Sequence, residues 1–150
     1  RRHDSGRRFL TGPPPVCFLR RMGTGWDVSH PDRLAVVTLV IERTGDVLAR
    51  VELADTAPAR RKGLLGRNAL APGTGLLIRP CASIHTWFMR FPIDVVFLGR
   101  TGQVLKIVGR LVPFRLAWGG WHARDTLELP AGAASRAGLQ VGERLCVRSP

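Results

Sequence analysis

Cys81-Ala82-Ser83-Ile84-His85-Thr86-Trp87-Phe88-Met89-Arg90-Phe91-Pro92-Ile93-Asp94-Val95-Val96-Phe97-Leu98 is the densest aromatic and β-branched run in the chain. Side chains of this kind fit a pleated, half-buried surface. Pro92 lacks the N–H a central strand must donate, so it splits the run into two arms, Ser83–Met89 and Ile93–Leu98. Each arm has strand length and is bounded by turn formers, which predicts a central hairpin with the apolar side chains of both arms in the core. A Cys, a His and an Asp also fall here, the side-chain types most used for chemistry.

Outward from this centre the pattern stays short-stranded. Gly99-Arg100-Thr101-Gly102 reads as a hairpin turn leading into Gln103–Val112, where Val104, Lys106 and Val108 alternate with Leu105, Ile107 and Gly109. Pro113–Ala123 reads as an irregular loop, Thr126–Leu129 as a strand, Pro130–Ala137 as a short Ala-rich helix stopped by Gly138, and Glu143–Arg148 as the last strand. Upstream, Ala35–Ile41 and Val47–Leu53 form a hairpin candidate around Glu42–Asp46. Asp55 or Thr56 can cap a helix and Pro58 suits its first turn, so a helix is expected from Ala57 to Leu65, closed by Gly66. Residues 67–75 are loop, and Leu76–Ile78 is a short strand. The fold class expected is mainly β: a compact antiparallel β-sandwich or barrel of seven or eight short strands with two short helices. It occupies 34–150 as a single domain, behind a flexible Arg/Pro/Gly-rich leader over 1–33.

The chain has 150 residues and a net charge of +12. Residues 1–21 hold six Arg and one Asp. Only Arg60-Arg61-Lys62 forms a basic cluster in the body of the chain. A dedicated nucleic-acid binder gathers cations on one face with stacking aromatics between them, so the spread argues against that class. Weak attraction to anionic polymers is still expected. Cys17, Cys81 and Cys146 are three widely spaced cysteines, which is no disulfide framework and favours a reducing compartment. With neither a secretory hydrophobic segment nor a membrane-spanning run, a cytoplasmic location is expected.

Five stretches together carry a resemblance. They are Val51-Glu52-Leu53-Ala54-Asp55-Thr56, Arg60-Arg61-Lys62-Gly63-Leu64-Leu65-Gly66-Arg67, Ser83 to Phe97, Leu127-Glu128-Leu129-Pro130-Ala131-Gly132, and Gly138-Leu139-Gln140-Val141-Gly142-Glu143. In this order, from about Ala35 to Val147, they resemble the bacterial and archaeal family known as domain of unknown function 192. The family's first helix has Glu before its Arg and Met after its Gly-Leu; this chain has Ala59 and Leu65 there, so any charge pairing by that Glu is absent. The resemblance implies a compact, mainly β domain and supplies neither an activity nor catalytic residues.

Four site readings compete. Cys81, His85 and Asp94 could form a nucleophilic set, as in a Cys- or metal-dependent hydrolase. In one strand, however, residues four apart lie ~13 Å from each other. A metal would draw on Cys81, His85, Asp94, His122 and Cys146, none of which has close ligand spacing, so neither metal nor cofactor is expected. Asp94 stands among apolar residues, where a carboxylate needs partners: backbone N–H groups, Arg90, Arg61 or Thr86. Trp118 and Trp121 flank two glycines, where full burial is hard to arrange. The reading preferred is a non-enzymatic module binding a small ligand or protein partner through a groove near Arg61, His85, Asp94 and the Trp118–Trp121 loop. A hydrolase is the alternative, and a weak binder of anionic polymers the third.

Overall fold

Ile93–Leu98 is buried at all six positions, the signature of a strand with neighbours on both edges and layers on both faces. The computed structural model describes residues 34–148. The leader expected over 1–33 lies outside them. In chain order the elements are β1 (Val36–Ile41), β2 (Val47–Ala54), α1 (Ala57–Lys62), β3 (Thr74–Ile78), β4 (Ser83–His85), β5 (Ile93–Leu98), β6 (Val104–Leu111), β7 (Leu116–Trp118), β8 (Asp125–Pro130), α2 (Ala133–Arg136) and β9 (Leu145–Arg148). The mainly β class with two short helices is as expected; the described residues hold nine strands. Seven form one sheet in the order β6-β5-β8-β3-β2-β1-β9, and β4 pairs β7 in a separate ribbon.

The large sheet curls into a half-barrel. Its edge strands meet at their starts through the Gln103↔Arg144 bridge, with Val104 N–H donating to Glu143 O at 2.7 Å. One pair, β2 with β3, is parallel, because the chain crosses between them through α1. The central run does not form the expected hairpin. Pro92 divides it between two sheets: its second arm is β5, and its first is strand only over Ser83–His85, paired with β7. Trp87 and Phe88 consequently stay exposed. The ribbon's exit lies against the sheet, where a Cβ on Gly119 would stand 2.4 Å from the Phe97 ring.

Alternation along the strands sends side chains to two cores. Leu77, Val96, Leu98, Leu127 and Leu129 point to the concave side, closed by Ala134 of α2 and Leu139. Leu76, Ile78, Ile93, Val95 and Phe97 point to the other side, covered by Leu64, Leu70, Ile84, Met89 and Ala117. In β6 the expected alternation breaks: Val104 and Ile107 share the first core, Leu105 and Val108 the second. The ladder to β5 is irregular at both ends, and an extra residue shifts the faces.

Asp94, 1% exposed, lies between the Ile93 and Val95 side chains and therefore faces the first core. Its Oδ1 accepts from Arg110 N–H at 2.8 Å and Gly132 N–H at 2.9 Å, and its Oδ2 from Ala134 N–H at 2.9 Å. All three partners are backbone; Arg90, Arg61 and Thr86 take no part. Arg110 and Gly132 adopt positive φ, 51° and 82°, which turns their N–H groups out of the regular ladder. Asp94→Ala should lower stability by roughly 3 kcal/mol, since three buried donors lose a charged acceptor. Asp94→Asn should cost about half as much, because its Oδ1 still accepts while its NH2 opposes Ala134 N–H. Urea melts check both; an unchanged midpoint in Asp94→Ala refutes the account.

Candidate functional site

Thr56 caps α1 by accepting from Ala59 N–H at 3.3 Å, and Gly63, at φ 47°, ends it with its N–H on Ala59 O. The helix therefore stops at Lys62 rather than Leu65, and Leu64 drops into the second core. Arg60, Arg61 and Lys62 fill the last turn. They form one wall of a cleft of about 470 Å³. Cys81, Ser83 and His85 line it on the side of β4, and Leu64, Ile78, Ile84 and Met89, all buried, supply its apolar lining. Among the described residues, no Asp or Glu lines the cleft.

Arg60 is tethered, its Nη1 donating to Asp55 O at 2.7 Å and Arg79 O at 3.5 Å. Neither Arg61 nor Lys62 has a salt bridge among the described residues. The Cys81 thiol donates to Ser83 O at 3.0 Å, and burial pushes its pKa up, away from the thiolate a nucleophile needs. The His85 ring meets Trp87 edge-on, centroids 5.3 Å apart.

The structure thus brings Arg61, Cys81 and His85 to one cleft. Asp94 is on the opposite face of the sheet, its carboxylate occupied by backbone. Trp118 and Trp121 pack edge to face at 5.2 Å, outside the cleft lining. Among the described residues no three His, Cys, Asp or Glu side chains are grouped to hold a metal ion. Cys81 is a free thiol, and Cys146 is disulfide-bonded. No helix is long and apolar enough to cross a membrane.

Sequence reasoning missed Glu128. In β8 it stands between Leu76 of β3 and Val95 of β5, on the face that carries the cleft. It is 4% exposed, and its Oε2 has no hydrogen-bond partner among the described residues. Burial raises its pKa to about 7, offset only in part by the Arg67 guanidinium, which is itself ion-paired with Glu52. The signal available was an acid flanked by leucines within a strand, Leu127-Glu128-Leu129.

The family model for domain of unknown function 192, described as an uncharacterised ACR, matches residues 39–147, and the chain belongs to that family. The chain is similar to the crystal structure of a putative transcription regulator from Sinorhizobium meliloti 1021, at 26% identity and a TM-score of 0.70 over 77% of this chain and 95% of that one. It is also similar to a protein of unknown function from Novosphingobium aromaticivorans DSM 12444, at 26% identity and a TM-score of 0.66, covering 75% of this chain and 84% of that one. No curated protein matches.

Glu128 gives this face a pH signature. Its folded pKa, about 7, lies above the ordinary 4.5, so the folded chain holds a proton that the unfolded chain releases between these values. Its contribution is fully present below pH ~4.5 and is lost as pH rises through ~7, by roughly 3 kcal/mol at most. Glu128→Gln should therefore be more stable than wild type above pH 7 and should flatten this part of the profile. Urea midpoints at pH 5 and pH 8 decide; equal slopes in the two proteins would falsify the assignment.

Proposed function

We propose that this member of the domain of unknown function 192 family is a non-enzymatic binding module whose cleft takes a small ligand with an anionic head and an apolar body. One observation carries the reading: among the described residues three cations and a His border the cleft, no acid does, and its deeper lining is aliphatic. Arg61 and Lys62 supply the head-group contacts, His85 closes the far side, and Leu64, Ile84 and Met89 receive the apolar body. A carboxylate or phosphate there would gain charge-assisted hydrogen bonds in a partly desolvated setting. Asp94 supports the cleft through the fold rather than by contact. Octanoate titrated into the labelled protein should shift the amide resonances of Gly63, Leu65 and His85. The double variant Arg61→Ala/Lys62→Ala should bind roughly tenfold more weakly, about 1.4 kcal/mol. Shifts confined to other regions, or unchanged affinity in the variant, would overturn the proposal.

A Cys-dependent hydrolase is the second reading, favoured by the presence of Cys81 and His85 in one cleft. The thiol's bond to Ser83 O and its raised pKa weigh against it. Iodoacetamide should label Cys81 slowly at pH 7 in the native state and quickly in denaturant. Rapid native labelling with an apparent pKa well under ~8.5 would favour the hydrolase instead.

A further inference from the structure

The ribbon of β4 and β7 has one face in the second core and one face outside. Ile84 and Ala117 are directly paired and buried, so Ser83 and His85 of β4, with Leu116 and Trp118 of β7, all project outward. The apolar surface extends at both ends. Trp87 packs edge-on against His85, and Trp121 against Trp118. Phe88 and Phe114 form a third edge-to-face pair. Leu116 is 67% exposed, Phe88 75% and Trp121 85%. Seven of the ten exposed large hydrophobic residues among the described ones fall between Trp87 and Trp121. Two of these, Leu116 and Trp118, are in the ribbon itself and the other five in the segments that flank its strands; such a concentration marks an interaction surface.

The charge around it has one sign. Residues 81–92 and 112–124, which build the ribbon and its flanking loops, contain Arg90, Arg115 and Arg124 and no acid. Lys106 Nζ donates to Trp118 O at 3.0 Å, and the Arg115 guanidinium donates to Phe114 O at 3.2 Å, so cations stand beside the Trp118–Trp121 and Phe88–Phe114 pairs. Thr86 holds the surface in shape: its hydroxyl accepts from Arg115 N–H at 2.9 Å and donates to Val112 O at 2.8 Å. The projecting loops are therefore pinned to each other.

We infer that the outward face of the β4–β7 ribbon docks on an anionic lipid surface, with Trp118, Trp121, Leu116 and Phe88 entering the interfacial layer and Lys106 and Arg115 meeting the head groups. Trp favours that layer because its ring is apolar and its N–H can stay hydrated. Juxtaposed Arg and Lys are drawn by the negative surface potential. Single-stranded nucleic acid fits less well: the aromatic pairs are edge to face and present no stack of parallel platforms, and Leu116 and Val112 offer bases nothing to stack on. Ser83 and His85 border both this surface and the cleft, but Leu116, Trp118, Trp121 and Phe88 are outside the cleft lining, so variants at the tryptophans test this inference without touching the cleft.

Co-sedimentation of the full chain with vesicles tests it. Vesicles of phosphatidylcholine with phosphatidylglycerol should bind the chain at least tenfold more strongly than phosphatidylcholine alone, with a blue shift of the Trp emission. Trp118→Ala/Trp121→Ala should lose about tenfold in partitioning at an unchanged thermal midpoint, while Val141→Ala, an exposed apolar residue elsewhere, should bind like wild type. Absence of binding to the anionic vesicles overturns the inference, as does binding that the double variant retains in full. Sedimentation equilibrium showing a dimer that the double variant abolishes would assign the face to a second copy of the chain. Ribbon-dependent binding of an oligothymidylate without vesicle binding would assign it to nucleic acid. Either result overturns the lipid inference.

Discussion

Three N–H groups converge on the carboxylate of Asp94, and they come from places far apart in the chain. Arg110 lies in β6, Gly132 in the turn after β8, and Ala134 in α2. One side chain thereby fixes the edge of the curled sheet, the turn beyond it and the helix that plugs its concave side. A carboxylate could not remain in such an apolar place without them, and those N–H groups, facing away from water and ladder partners, could not remain without it. The constraint is mutual. It also explains the bulged end of β6, since a regular ladder would spend Arg110 N–H on β5 and leave Asp94 one donor short.

The opposite face of the sheet is built on another principle. There the covering layer is thin: α1, the loop behind it and a three-residue ribbon. Short elements bury their inner side chains and leave their outer ones in water, so this face is where the cleft and the exposed aromatics arise. Glu128 lies beneath that layer with an unpartnered oxygen, a polar group that apolar packing alone does not call for. Asp94 and Glu128 are both acids in central strands, yet one is fully bonded and the other is not. The first is held by three backbone N–H groups; in the second, burial raises the pKa.

Much of the β architecture was legible in the sequence, because strand length, turn residues and alternation are local properties. Ile93–Leu98 was found at its observed bounds, and the hairpin of Ile93–Leu98 with the following strand formed as read. A cap at Asp55 or Thr56, of which the fold uses Thr56, and the near-complete burial of Asp94 followed from chemistry that any context must satisfy. Less legible were β7, whose three residues Leu116-Ala117-Trp118 are too few to show a period, and the parallel pairing of β2 with β3, which depends on a crossover. The shifted faces of β6 escaped for a similar reason: a bulge is decided by what the neighbouring strand and Asp94 require.

For the candidate site the division is sharper. The sequence by itself determined which residues could do chemistry, namely Arg61, Cys81, His85, Asp94 and the two tryptophans, because side-chain type is written residue by residue. Only the tertiary structure decided which of them meet. Arg61 reached Cys81 and His85 because α1 ends at Gly63 beside β4, whereas Asp94 was turned away by the two-residue period of its strand, which sends neighbours to opposite faces. The Pro92 break placed the two arms of one apolar run in different sheets, burying Ile93–Leu98 and exposing Trp87 and Phe88. Local pattern fixes a strand and its alternation, but which face is covered, and by what, depends on partners distant in sequence.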